Sequence, residues 1–71
     1  MNTITIEEIN TVLNKLRQSG EKIGDTTKLS HGMSMERYQE DGWMYTIFFE
    51  HSEPVKIEAF NHRELIEKWG R

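Results

Sequence analysis

An Asp41-Gly42 dipeptide stands between two runs of alternating side chains, which constrains the centre of the chain to a β-hairpin. Upstream, odd positions are apolar (Leu29, Met33, Met35) and even positions polar (Lys28, Ser30, Ser34, Glu36), the period of a strand with one buried face. Gly32 interrupts that run as a bulge or bend. Downstream, Trp43 to Glu50 (WMYTIFFE) forms the second strand. Two loops compete. A two-residue Asp41-Gly42 loop pairs Tyr38 with Tyr45, but also Glu36 with Ile47 and Ser34 with Phe49, which sets polar side chains on the apolar face. A three-residue Glu40-Asp41-Gly42 loop, with Gly42 left-handed in a G1 bulge, pairs Arg37 with Tyr45, Met35 with Ile47 and Met33 with Phe49. Consistency of the faces selects the longer loop. In that register His31 lies opposite His51, and Tyr38 opposite Met44.

Helices are expected on either side of the strands. Thr5-Ile6-Glu7-Glu8 reads as a capping box, with Ile4 and Ile9 placed as a hydrophobic staple. Ile9, Val12, Leu13 and Leu16 fall on one helical face, and Gly20 sits where a left-handed cap would end it, which predicts a helix over 6–19. Gly20 to Asp25 reads as a loop. After a turn at His51-Ser52-Glu53-Pro54, Val55 to Phe60 alternates as a third strand with Val55, Ile57 and Ala59 inward. Asn61 then opens a second helix with Glu64 as its reciprocal cap partner, Leu65, Ile66 and Trp69 as its apolar stripe and Gly70 at its end. The expected fold is α+β, ordered α-β-β-β-α: a three-stranded antiparallel meander sheet packed with two helices, one domain over 1–71.

With 71 residues and 35% apolar side chains, the chain can fill one thin core. Without cysteine it has neither a disulfide staple nor thiolate chemistry. No apolar run approaches the roughly 18–20 residues of a membrane span. The start MNTITIEEIN has no basic residue and no apolar segment of the secretory kind, so a soluble, cytoplasmic protein is expected. The net charge is −3, and residues 36–58 are acidic, with Glu36, Glu40, Asp41, Glu50, Glu53 and Glu58 against Arg37 and Lys56. Nucleic-acid binding needs a cationic patch that displaces counterions, and none is visible. An acidic sheet could instead meet a basic partner surface.

No constellation for catalysis emerges. His31 and His51, side by side in the chosen register, could hold a transition metal with Glu53 or His62, but their spacing matches no ligand motif. Ser30-His31 and His51-Ser52 are strand neighbours, which point to opposite faces and cannot act as nucleophile and base. The acidic pairs Glu7/Glu8, Glu40/Asp41 and Glu50/Glu53 each have a local explanation at a helix start, a turn or a loop. Gly20-Glu21-Lys22-Ile23-Gly24 lacks the strand, the helix and the terminal Gly-Lys-Ser/Thr of a phosphate loop. No catalytic residue, metal or cofactor is assigned.

The order α-β-β-β-α and the chain length resemble those of double-stranded-RNA-binding domains. In that family the second helix opens on a lysine-rich segment that grips phosphates. Here the corresponding stretch, Asn61 to Lys68 (NHRELIEK), has one Lys, one Arg and two Glu, and so departs from the family at its functional residues.

The stronger anomaly is on the second face of the sheet, where Tyr38, Met44, Phe48 and Phe60 are apolar at positions that should be polar. Either a helix crosses this face or the sheet twists enough to cover part of it, or it is an aromatic–methionine patch that binds a protein partner or a second copy of the chain as a homodimer. The expected function is a small non-enzymatic protein-interaction or regulatory module, of an accessory or inhibitor kind, with those four as its partner-binding residues. A nucleic-acid-binding module and a small metal-binding protein are the alternatives.

Overall fold

Residues 3–70 are described by a computed structural model of the chain. The chain opens with a two-residue strand, β1 (Thr3–Ile4), and enters helix α1 (Ile6–Ser19), with the bounds that the spacing predicts. Thr5 caps it: its Oγ1 accepts from the Glu8 amide at 3.0 Å and donates to the Glu8 carboxylate at 3.0 Å. The box therefore closes through the two side chains. Ile9, Leu13 and Leu16 are the buried stripe, and Ile4 packs against the cluster that contains Ile9. Gly20 ends the helix in an extended conformation (φ −85°), not a left-handed one.

Six strands follow: β2 (Glu21–Lys22), β3 (Thr27–Lys28), β4 (Met33–Glu40), β5 (Trp43–Glu50), β6 (Glu53–Phe60) and β7 (Leu65–Gly70). All pair antiparallel, and β1 joins parallel to β7, giving the order β1-β7-β6-β5-β4-β2 with β3 also on β4. Part of the expected Gly20–Asp25 loop is thus the sheet-edge strand β2, paired with Tyr38 and Gln39. β4, β5 and β6 are each eight residues long. They are preceded by turns at His31-Gly32, Asp41-Gly42 and His51-Ser52, in which all six residues have positive φ. The last two close two-residue loops, and paired positive φ there is the signature of type I′ turns, whose twist matches that of the flanking strands. The β3–β4 pair instead sets Lys28 beside Ser34 and is connected through Ser30, His31 and Gly32. Gly32 is therefore the second residue of a bend in the chain, and the one-residue offset of the β3–β4 register falls beside it at Ser30. A Cβ on Gly32 would lie 2.6 Å from the His51 ring.

The Asp41-Gly42 turn corrects the register. Its residues sit at φ 52° and 80°, both left-handed, so the loop is the two-residue one. Tyr38 pairs with Tyr45, Glu36 with Ile47, Ser34 with Phe49 and Met35 with Phe48. Every β4 side chain is on the face opposite to the one expected: Tyr38 points under α1, and Met35 away from it. Glu36 is tolerated on the helix side because Arg17 of α1 and Tyr38 both satisfy its carboxylate. His31 and His51 accordingly do not form a cross-strand pair.

The second expected helix is a strand, so the fold is not α-β-β-β-α with two helices. It is one N-terminal helix followed by six antiparallel strands. Asn61 does supply capping chemistry, with Oδ1 accepting from the amides of Arg63 (2.8 Å) and Glu64 (2.9 Å). These bonds close a tight turn whose ends meet through Asn61 N–H to the Glu64 carbonyl at 3.1 Å. The chain then returns along β6, with Phe60 beside Leu65 and Lys56 beside Trp69. A strand here gives the β6 edge backbone partners from Lys56 to Phe60, which a short helix would leave open. The order shared with double-stranded-RNA-binding domains ends at this point.

The core lies between α1 and the middle of the sheet, where Ile9, Leu13 and Leu16 meet Tyr38, Ile47, Phe49 and Ile57. The β5–β6 register slips between Phe48 and Phe49, which seats the buried Pro54 opposite Phe49 and lets a proline enter the strand. Among the described residues no helix is long and apolar enough to cross a membrane.

Candidate functional site: the two faces of the sheet

On the face turned away from α1, strand register arranges side chains in three rows. Met35, Phe48, Lys56 and Trp69 form the first, Arg37, Thr46, Glu58 and Glu67 the second, and Gln39, Met44, Phe60 and Leu65 the third. Two largely apolar rows thus flank a polar one. Lys56 interrupts the first row, but its ammonium lies over the rings of Phe48 (5.3 Å) and Trp69 (4.4 Å). It also reaches Glu67 at 3.0 Å and Glu58 at 3.7 Å in the polar row. The lysine thereby joins the aromatic row to the acidic end of the polar one. Met44, Phe60, Leu65 and Trp69 are 40%, 53%, 55% and 54% exposed, so this apolar surface faces solvent. Because Thr46 is short and its row neighbours are long, a hollow of about 250 Å³ opens above it. Met35, Met44, Phe48, Phe60 and Leu65 wall the hollow, and Arg37 and Glu58 flank it.

Three of the four expected partner-binding residues, Met44, Phe48 and Phe60, are together here. Tyr38 is not: it is 2% exposed beneath α1. Leu65 and Trp69, which the sequence reading placed in a helical stripe, complete the patch. A strand reading of LIEKWG would have placed both outward and Ile66 inward.

Tyr38 belongs to a closed polar triad with α1. Arg17 Nε donates to its hydroxyl at 3.4 Å, and the hydroxyl donates to Glu36 Oε1 at 2.6 Å. Arg17 Nη2 completes the triangle to Glu36 Oε1 at 3.2 Å and Oε2 at 3.3 Å. Burial pushes the Glu36 carboxyl up, but the Tyr38 hydroxyl and the Arg17 guanidinium outweigh it and hold its pKa below the usual range. Burial, then Glu36, push the Tyr38 phenol up. The triad is structural in its geometry: its charges are mutually satisfied and its phenol is covered.

On the helix side, α1 covers only part of the sheet. Beside it a groove of about 340 Å³ runs over β5, β6 and β7. Val12 and Leu16 form one bank, Tyr45, Ile57, Ala59 and Ile66 the floor, and Trp43 and Glu40 the end at the Asp41-Gly42 turn. The groove occupies the position beside α1 that a second helix would fill. Among the described residues no cluster of three or more His, Asp or Glu is placed to hold a metal ion. No family model, no curated protein and no solved structure matches the chain significantly.

Proposed function

We propose that this protein is a non-enzymatic interaction module that docks a protein partner on the outer face of its sheet. The observation carrying this reading is the hollow above Thr46 between two apolar rows. It is the size of a buried anchor side chain, and opposite charges, Arg37 and Glu58, lie at its margins. Interfaces concentrate their energy where an apolar anchor enters such a pocket, with charged groups at the rim setting orientation. Methionine and aromatic side chains dominate the walls, and both are enriched at binding surfaces. The partner presents an apolar or aromatic anchor flanked by an acid toward Arg37 and a base toward Glu58.

Filling the hollow tests the reading. Thr46→Phe places a ring in the space without opening the core, so the fold survives. Partners captured quantitatively from a lysate by the wild-type protein should be lost with Thr46→Phe and with Phe60→Ser. They should be kept with Lys28→Ser, a change on β3 away from the hollow. Capture unaffected by Thr46→Phe sinks the proposal. Sedimentation showing a Thr46-dependent homodimer and no other partner replaces the partner protein with a second copy of the chain.

A further inference from the structure

The groove beside α1 is separate from the outer face and has its own chemistry. Its floor and helical bank are apolar, yet two lysines line it from different elements, Lys15 on α1 and Lys68 on β7. Both are exposed, and neither has an ion-pair partner among the described residues. The acidic lining residue, Glu40, accepts from the Ser19 hydroxyl at 2.7 Å and keeps its charge, which with Asp41 marks the Asp41-Gly42 end of the groove as its anionic end. An apolar trough with unpaired cations at its margin complements a molecule with an apolar body and an anionic head. At about 340 Å³ the space is at the small end of the range for small-molecule sites. We propose that the groove binds a small amphiphilic carboxylate, with its hydrocarbon portion over Ala59 and Ile66 and its carboxylate between Lys15 and Lys68. The site does not depend on the outer-face reading, because the sheet separates the two.

The two tryptophans allow each side to be read independently, since Trp43 ends the groove and Trp69 stands on the outer face. In a Trp69→Phe background, octanoate added below its micellar concentration should shift the Trp43 emission saturably. Backbone amide shifts should centre on Val12, Ala59 and Ile66. Octylamine, with the same chain and a cationic head, should bind at least tenfold more weakly. Lys15→Gln combined with Lys68→Gln should abolish that preference, and Ala59→Leu should block binding of both. Equal affinity for octanoate and octylamine overturns the proposal. So do shifts centred on Met44 and Phe60, which would mark the outer face as the detergent-like site, and the absence of saturable binding up to millimolar octanoate.

Discussion

Tyr38 shows how one residue can decide a register. Its ring fills the space between α1 and the sheet, and its hydroxyl finds both an acceptor and a donor there. Moving it to the outer face would strip Glu36 and Arg17 of their shared partner. Glu36 opposite Ile47 and Ser34 opposite Phe49 both argue against the correct pairing, because a polar side chain beside an apolar one looks like an error when strands are read alone. The signal that would have rescued it, Arg17, is nineteen positions away on the helix. Tyr38→Phe should cost about 1.5–3 kcal/mol in urea unfolding, the usual range for a hydrogen bond to a charged group. The pH dependence has a definite sign. The folded Glu36 pKa lies below its unfolded value, so its stabilisation is fully present above about pH 4.3 and is lost as pH falls through the folded pKa. Tyr38 is shifted up, so stability falls as pH rises past about 10, where only the unfolded phenol ionises. Unfolding midpoints between pH 7 and 3 should therefore decline less steeply in Glu36→Gln than in the wild type. Equal acid slopes would show that the triad is not linked to folding.

At the scale of elements, local signals were legible where they had one physical meaning. The capping box and the spacing of Ile9, Leu13 and Leu16 place α1, since nothing else in that stretch competes. Asn61 and Glu64 carried the same kind of signal but had two meanings. An Asn side chain that accepts the next amides closes an Asx turn as readily as it starts a helix, and the unpaired edge of β6 decides between them. The outward positions of Leu65 and Trp69 follow from that choice, which is why part of the patch was missed. At the turns, Asp41-Gly42 carries the preferred type I′ pair, whereas His51-Ser52 adopts the same backbone with two side-chain-bearing residues at φ 50° and 70°. Left-handed backbone costs a non-glycine residue roughly 1–2 kcal/mol, part of which glycine gives back as unfolded-state entropy. Ser52→Gly should raise stability by roughly 0.5–1 kcal/mol. Gly32→Ala should destabilise, since at φ 74° a side chain strains the backbone, and the exposed His51 ring beside its Cβ would also have to move. A destabilised Ser52→Gly would mean that the serine side chain contributes more to the turn than its strain removes.

For the molecule as a whole, one helix and a broad sheet cannot satisfy both faces. A helix is about 10–12 Å across with its side chains, and neighbouring strands are about 4.8 Å apart, so α1 spans roughly two of them. The pattern WMYTIFFE is apolar on both sides because it lies at the centre of the sheet. Its inward members, Ile47 and Phe49, enter the core, while Met44 and Phe48 are left on the outer face. The two sets of apolar residues should therefore separate energetically. Ile47 is fully buried, and Ile47→Ala should cost about 2–5 kcal/mol through lost burial and the cavity left behind. Phe60 is 53% exposed, and Phe60→Ser should cost less than about 1.5 kcal/mol, half or less of what full burial of such a side chain contributes. Because the two sites lie on opposite sides of the sheet and share no partner, the double variant should lose the sum of the two within about 0.5 kcal/mol. Chemical denaturation of the four proteins measures all three quantities. A large cost for Phe60→Ser, or coupling well above that margin, would place Phe60 in the folding core and remove it from the binding surface. Additive losses with a small Phe60 contribution would leave the outer row energetically free to serve a partner.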